Sequence, residues 1–301
     1  MNHQKYKNKT LLNHYKLAFY LINLFQICET LKLGIAYAVK EEVGFEALVE
    51  APIETVLRLL KDLGYSGIEL NIANPIKFDV SFYRRKLEEY DLKVPVISTG
   101  LSYLTYGYSL SSSNREIRNK AIEFFLKYAE IAHEFGCNRV VIGLARGDAD
   151  DIPKDLALEN LRSSIVTILD RTEAYGTILI LEPLNRYETR IINNIKEFKE
   201  FYEKVKNPRL RMLFDTYHMS LEEQNLYKAL LEARNYIEYV HLAENNRLAP
   251  GMGMIDWLKV VAILKAIDYR YFITIEAMPK PSFEEMARRG ASTILPLLEL
   301  F

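Results

Sequence analysis

Four residues of this 301-residue chain carry side chains suited to a divalent cation and stand at matching places: Glu182, Asp215, His241 and Glu276. Each lies at the end of a short apolar run. The runs are ILILE over 178–182, LRMLFD over 210–215, IEYVHL over 237–242 and YFITIE over 271–276. Three carboxylates and one imidazole form a hard, oxygen-rich donor set. Such a set favours Mn²⁺, with Mg²⁺ or Co²⁺ as alternatives, over a thiolate-bound structural zinc. The four can share one ion only if the ends of their runs converge, and open coordination positions would then remain for two oxygens of a substrate. One such residue alone is an ordinary polar group at the end of a strand. The succession of four is the informative feature.

The rest of the chain supplies elements that would bring these ends together. Earlier apolar runs occur at Leu33–Tyr37, Gly67–Ile72, Val94–Thr99 and Arg139–Leu144. All eight runs lack a polar face, as expected of parallel strands covered on both sides. Amphipathic stretches lie between them. Residues 52–63 begin with Pro52 and stop before Gly64, the usual asymmetry of helix ends. Residues 115–135 have Ser112, Ser113 or Asn114 available as an N-cap and Gly136 as a stop, and 155–175 and 195–206 follow the same pattern. Eight strands alternating with helices predict an α/β fold, either a closed (β/α)8 TIM barrel or a doubly wound sheet. No Gly-rich phosphate loop follows the first run, which weighs against the doubly wound alternative. In a barrel, the C-terminal ends of the strands surround the mouth where active sites sit.

Composition narrows the function. Hydrophobic residues make up 49% of the chain and charged residues 26%, with a formal net charge of -1. There is no overall basic footprint for a nucleic-acid partner. The two cysteines, Cys28 and Cys137, are far apart and belong to no motif, so a disulfide framework is not expected and a reducing, cytoplasmic setting fits. Of the five histidines, His3 and His14 lie in an atypical N-terminal stretch, which leaves carboxylates to dominate any metal site. That stretch is polar and basic over 1–10, then apolar over 11–28 with interruptions at Asn13, His14, Lys16 and Asn23. It suits neither a cleavable signal nor a membrane span. The expected organisation is an N-terminal extension over 1–30 and one barrel domain over 31–301, without a membrane partner.

Three segments carry a resemblance to a known family. Leu181–Glu188 (LEPLNRYE), Phe214–Glu223 (FDTYHMSLEE) and His241–Trp257 (HLAENNRLAPGMGMIDW) resemble the D-tagatose 3-epimerases and D-psicose 3-epimerases. These enzymes belong to the xylose isomerase-like group of sugar isomerases and epimerases. Ile275–Glu276 matches the last ligand position, and the likeness is densest over 178–278. The resemblance implies that Glu182, Asp215, His241 and Glu276 ligate the metal and that Glu182 and Glu276 form the acid/base pair on opposite faces of a sugar carbon. It implies that Glu188, His218 and Arg247 hold substrate oxygens. The implied reaction is C3 epimerisation of a free ketose through a metal-stabilised enediolate, in a homo-oligomer (dimer or tetramer). Aldose–ketose or hydroxypyruvate-type isomerisation on the same scaffold is the alternative. More distant alternatives are an endonuclease IV-like repair enzyme, which needs more histidines than this domain has, and a non-catalytic sugar-binding protein, which would not need both glutamates.

Other residues have two readings each. Tyr37, ending the first run, and Glu69, in the second, are candidates for the sugar pocket; a core tyrosine and a supporting or structural acid are the other readings. His133 lies in a predicted helix and reads as structural, and Trp257, the one tryptophan, reads as a packing residue. Gly251–Met254 suggests a mobile loop over the site. The first loop, Ala38–Glu46, lacks the tryptophans usual in the close epimerases, so the pocket for the sugar tail is expected to differ in shape.

Overall fold

Eight strands pair in chain order, all parallel, and the last closes on the first. They are β1 (Lys32–Val39), β2 (Gly67–Ile72), β3 (Ile97–Ser98), β4 (Arg139–Ile142), β5 (Ile178–Leu181), β6 (Leu210–Asp215), β7 (Ile237–Leu242) and β8 (Phe272–Ile275). The computed structural model describes residues 31–149 and 152–300; the N-terminal stretch read above as an extension lies outside the described residues. The architecture is a (β/α)8 barrel.

Helices follow the strands in turn. They are α1 (Ile53–Asp62), α2 (Val80–Glu89), α3 (Gly100–Tyr106), α4 (Arg115–Glu134), α5 (Lys154–Arg171), α6 (Ile195–Val205), α7 (Thr216–Glu222), α8 (Leu226–Ala233), α9 (Trp257–Ala266) and α10 (Phe283–Glu299). Their starts follow capping chemistry. Asn114 caps α4 through Glu116 and Ile117 N–H, Asn194 caps α6 through Glu197 N–H, and Asp256 caps α9 through Lys259 N–H. The apolar faces of the helices pack on the outside of the strands and form the main core.

The barrel interior explains how the site is positioned. Side chains alternate along a strand with a period of two. Val96, Val141, Ile180, Leu213, Tyr239 and Phe272 form one buried cluster. Glu182 stands two residues beyond Ile180, Asp215 two beyond Leu213, His241 two beyond Tyr239, and Glu276 four beyond Phe272. The polar group thus faces inward on top of an apolar plug. Where Phe272 and Thr274 fill the barrel, β1 and β2 supply glycine. A Cβ on Gly67 would come within 2.5 Å of the Phe272 ring, and one on Gly34 within 2.7 Å of Thr274 Oγ1.

Candidate metal centre

Register sets the four side chains side by side. Asp215 pairs with His241, and His241 with Thr274, two residues before Glu276. Glu182 and Glu276 sit immediately beyond β5 and β8, where their N–H groups still donate to Ile142 O and Leu242 O. His241 Nδ1 is 3.4 Å from Glu182 Oε1, 3.7 Å from Asp215 Oδ2 and 3.5 Å from Glu276 Oε2. One potential ligand atom from each of the four lies within 4.8 Å of all the others, and all four residues are buried.

The neighbours of these atoms leave the cluster-facing ones unused. Asp215 Oδ1 caps α7 by accepting His218 N–H at 2.8 Å, so Oδ2 is left for the cluster. His241 Nε2 bonds Glu69 Oε2 at 2.8 Å, and Glu69 Oε1 takes the Ser98 hydroxyl. This acid fixes the imidazole from behind and leaves Nδ1 facing the carboxylates, the usual support for a metal-ligating histidine. Glu182 Oε1 and His241 Nδ1 are buried without a hydrogen bond. Orphaned buried acceptors are costly unless something else satisfies them. A divalent cation would do so, and its charge would offset the three carboxylates.

Electrostatics agree with that reading. Burial, reinforced by the Glu182 charge, pushes the Asp215 carboxyl well above the ordinary aspartate range. Burial also raises Glu182. Burial would raise Glu276 too, but the adjoining His241 and Arg247 outweigh it and hold that carboxyl low. For His241, burial opposes the charged form, yet Glu69 and Glu276 push the ring well above the usual imidazole value. A metal-free cluster therefore retains protons that a bound cation would displace.

A concave cavity at the mouth of the barrel adjoins the cluster. Glu182, His241 and Glu276 line it together with Glu188, His218 and Arg247. Arg247 Nη1 donates to Glu188 Oε1 at 2.7 Å. Its guanidinium lies between the rings of Phe45 and Tyr217, 4.9 and 4.8 Å from their centroids. Burial disfavours its charge, but Glu188, Glu276 and Asp215 more than restore it. His218 is depressed well below the usual histidine value, chiefly by burial and then by the Arg247 and His241 charges, so its ring is neutral.

Of the sequence candidates, Asp215, Tyr37 and Glu69 fall outside the cavity lining. The Tyr37 hydroxyl donates to Ala51 O at 3.0 Å, toward the loop after β1. Glu69 is wholly buried behind His241, whose Nε2 it bonds. The loop after β1 contributes Phe45 instead, an aromatic wall from the very segment that lacks tryptophan. Trp257 packs but also donates Nε1–H to Glu244 Oε1 at 2.7 Å. Glu244 accepts Gly251 N–H and Ile255 N–H as well, so the Gly251–Met254 loop is tied to the end of β7. His133 stacks on Tyr175, in keeping with its structural reading.

Sequence reasoning missed Arg146. It is fully buried, its guanidinium satisfied by the carbonyls of Ile142, Gly143, Ile191 and Ile192, and burial lowers it to about 10. It keeps a positive charge near Glu182 and Glu188. Residue type alone cannot tell a buried arginine from a solvated one, and only its place just after β4 was available as a signal.

Comparisons with known proteins point one way. A family model described as xylose isomerase-like TIM barrel matches residues 57–294. The L-ribulose 3-epimerase of Methylomonas sp. (strain DH-1) is 34% identical over 220 residues, covering 71% of this chain and 74% of that protein. The 3-dehydro-D-guloside 4-epimerase of Escherichia coli (strain K12) is 27% identical over 231 residues, covering 73% of this chain and 84% of that protein. The crystal structure of D-allulose 3-epimerase from Methylomonas sp. in complex with D-allulose superposes with a TM-score of 0.73 at 25% identity, covering 87% of this chain and 96% of that one.

Proposed function

The chain belongs to the xylose isomerase-like TIM barrel family as an isomerase-class enzyme, and from that premise we propose that it epimerises a free ketose at C3. The single observation that carries this reading is the buried set Glu182, Asp215, His241 and Glu276 opening into a cavity lined by Glu188, His218 and Arg247. The four would hold one divalent cation, Mn²⁺ by preference with Mg²⁺ or Co²⁺ as substitutes. When bound, that ion supplies Lewis acidity toward substrate oxygens, which eases loss of a proton from the neighbouring carbon.

The chain's own groups account for the proton path. Glu182 follows β5 and Glu276 follows β8, with two strands between them in the closed barrel. A sugar carbon lying between the two carboxylates is met from two sides. One carboxylate takes the C3 proton, and the electron pair of that C–H bond passes into the C2–C3 bond and onto the C2 oxygen. The other glutamate, protonated, delivers its proton to the opposite face of C3, and the carbonyl re-forms with C3 inverted. The two carboxyls have then exchanged protonation states, which either the reverse reaction or exchange with water resets. Glu188, His218 and Arg247 would hold hydroxyl and carbonyl oxygens so that C3, and not C1, stands between the acids.

The proposal places the activity in a barrel domain over 31–301, in a cytoplasmic homo-oligomer. Among the described residues no helix is long and apolar enough to cross a membrane. The test is turnover in D₂O with Mn²⁺ present, offering L-ribulose, D-allulose, D-fructose and D-tagatose. Expected is a 3-epimer carrying one deuterium at C3. Deuterium at C1 or C2 with an aldose product would instead support the isomerase alternative.

A further inference from the structure

We propose that Asn185 is a positioning residue that fixes His218 as the tautomer protonated at Nε2, so that His218 meets substrate only as a hydrogen-bond donor. That His218 meets substrate rests on the epimerase reading; the proton's position rests on the chain's own atoms. His218 is buried on α7, and its Nδ1 faces Asn185 twice, with the backbone nitrogen at 3.2 Å and the side-chain Nδ2 at 2.8 Å. A backbone N–H can only donate, so Nδ1 carries a lone pair.

The orientation of the amide is set independently. Tyr187 N–H donates to Asn185 Oδ1 at 2.9 Å, which turns the NH₂ end toward His218 and toward Glu188 Oε1, 3.2 Å away. Both are acceptors, so both amide protons are used. A proton on Nδ1 would confront two N–H donors, which disfavours both the opposite tautomer and the doubly protonated ring. The remaining nitrogen, Nε2, is 3.9 Å from Glu182 Oε1, too far for a hydrogen bond, on a ring that lines the cavity.

One amide thus coordinates two neighbours of the substrate. It holds His218 and also Glu188, whose Oε1 receives Arg247. With its proton on Nε2, His218 has no lone pair to offer the sugar. It cannot remove a proton, and the acid/base work is left to carboxylates. A neutral donor there would stabilise charge as it develops on a substrate oxygen.

The test uses full-length protein labelled with ¹⁵N-histidine, with and without diamagnetic Mg²⁺, and long-range ¹H–¹⁵N spectra assigned with His218→Gln. Expected in the wild type is an unprotonated Nδ1 and a protonated Nε2 at residue 218. Asn185→Asp puts an acceptor opposite Nδ1. It should move the proton there and lower kcat on the order of 10²-fold, with a smaller change in KM. A wild-type ring protonated at Nδ1, or an Asn185→Asp spectrum with the tautomer unchanged, overturns the proposal. If Asn185→Asp fails to fold, the wild-type spectrum still decides. A protonated Nε2 in a protein that turns over no ketose would count against the epimerase reading alone and leave the tautomer assignment standing.

Discussion

At the scale of single residues, the two glutamates differ from the other ligands in what their loss should do. Glu182→Gln and Glu276→Gln keep size and hydrogen-bonding shape but remove the proton acceptor. A general base contributes roughly 10²–10⁴-fold, so each variant should lose kcat by about that factor in a steady-state assay at saturating Mn²⁺. Glu69→Ala acts elsewhere: it frees His241 Nε2, bonded at 2.8 Å. Metal affinity should fall roughly 10–100-fold, the usual effect of losing such support, read by calorimetric titration on folded protein. The sign of pH dependence follows from Asp215 and Glu182, both raised in the metal-free cluster. Protons there must leave when a cation enters, so Mn²⁺ affinity should weaken as pH falls; affinity that strengthens with acid would contradict the cluster's role.

At the scale of elements, the last four strands were legible because each is an apolar run with a metal-competent residue at or beside its end, and a period of two leaves that residue facing inward. The helices α1, α4, α5 and α6 were legible from caps and stops, as at Asn114 and Gly136. The short helices α3 and α7 were not, since seven residues give too few turns for an apolar stripe to stand out. At Tyr37 the strand-end position does not say which way a hydroxyl turns, and here Ala51 O takes it. Phe45 was hidden in a loop, where side-chain direction has no period to read. The glycines of β1 and β2 make a sharper claim. A Cβ at 67 would meet Phe272 at 2.5 Å and Lys93 O at 2.9 Å, so Gly67→Ala should destabilise by about 1–3 kcal/mol through overpacking. Denaturant titration checks this, and an unchanged midpoint would mean that the interior plug yields more readily than its packing implies.

At the scale of the whole molecule, the site draws on loops and strand ends from β1 round to β8. A cation that binds only the folded barrel also stabilises it, by about 2.7 kcal/mol when free ion is a hundred times Kd, which differential scanning calorimetry would register as a higher Tm. The central claim is that four side chains, delivered by four successive strands, share one ion. Titration of Mn²⁺ followed by electron paramagnetic resonance tests it most directly. The account predicts one tight site per chain in the wild type, lost in both Asp215→Asn and His241→Ala. A tight site of undiminished affinity in either folded variant would contradict it.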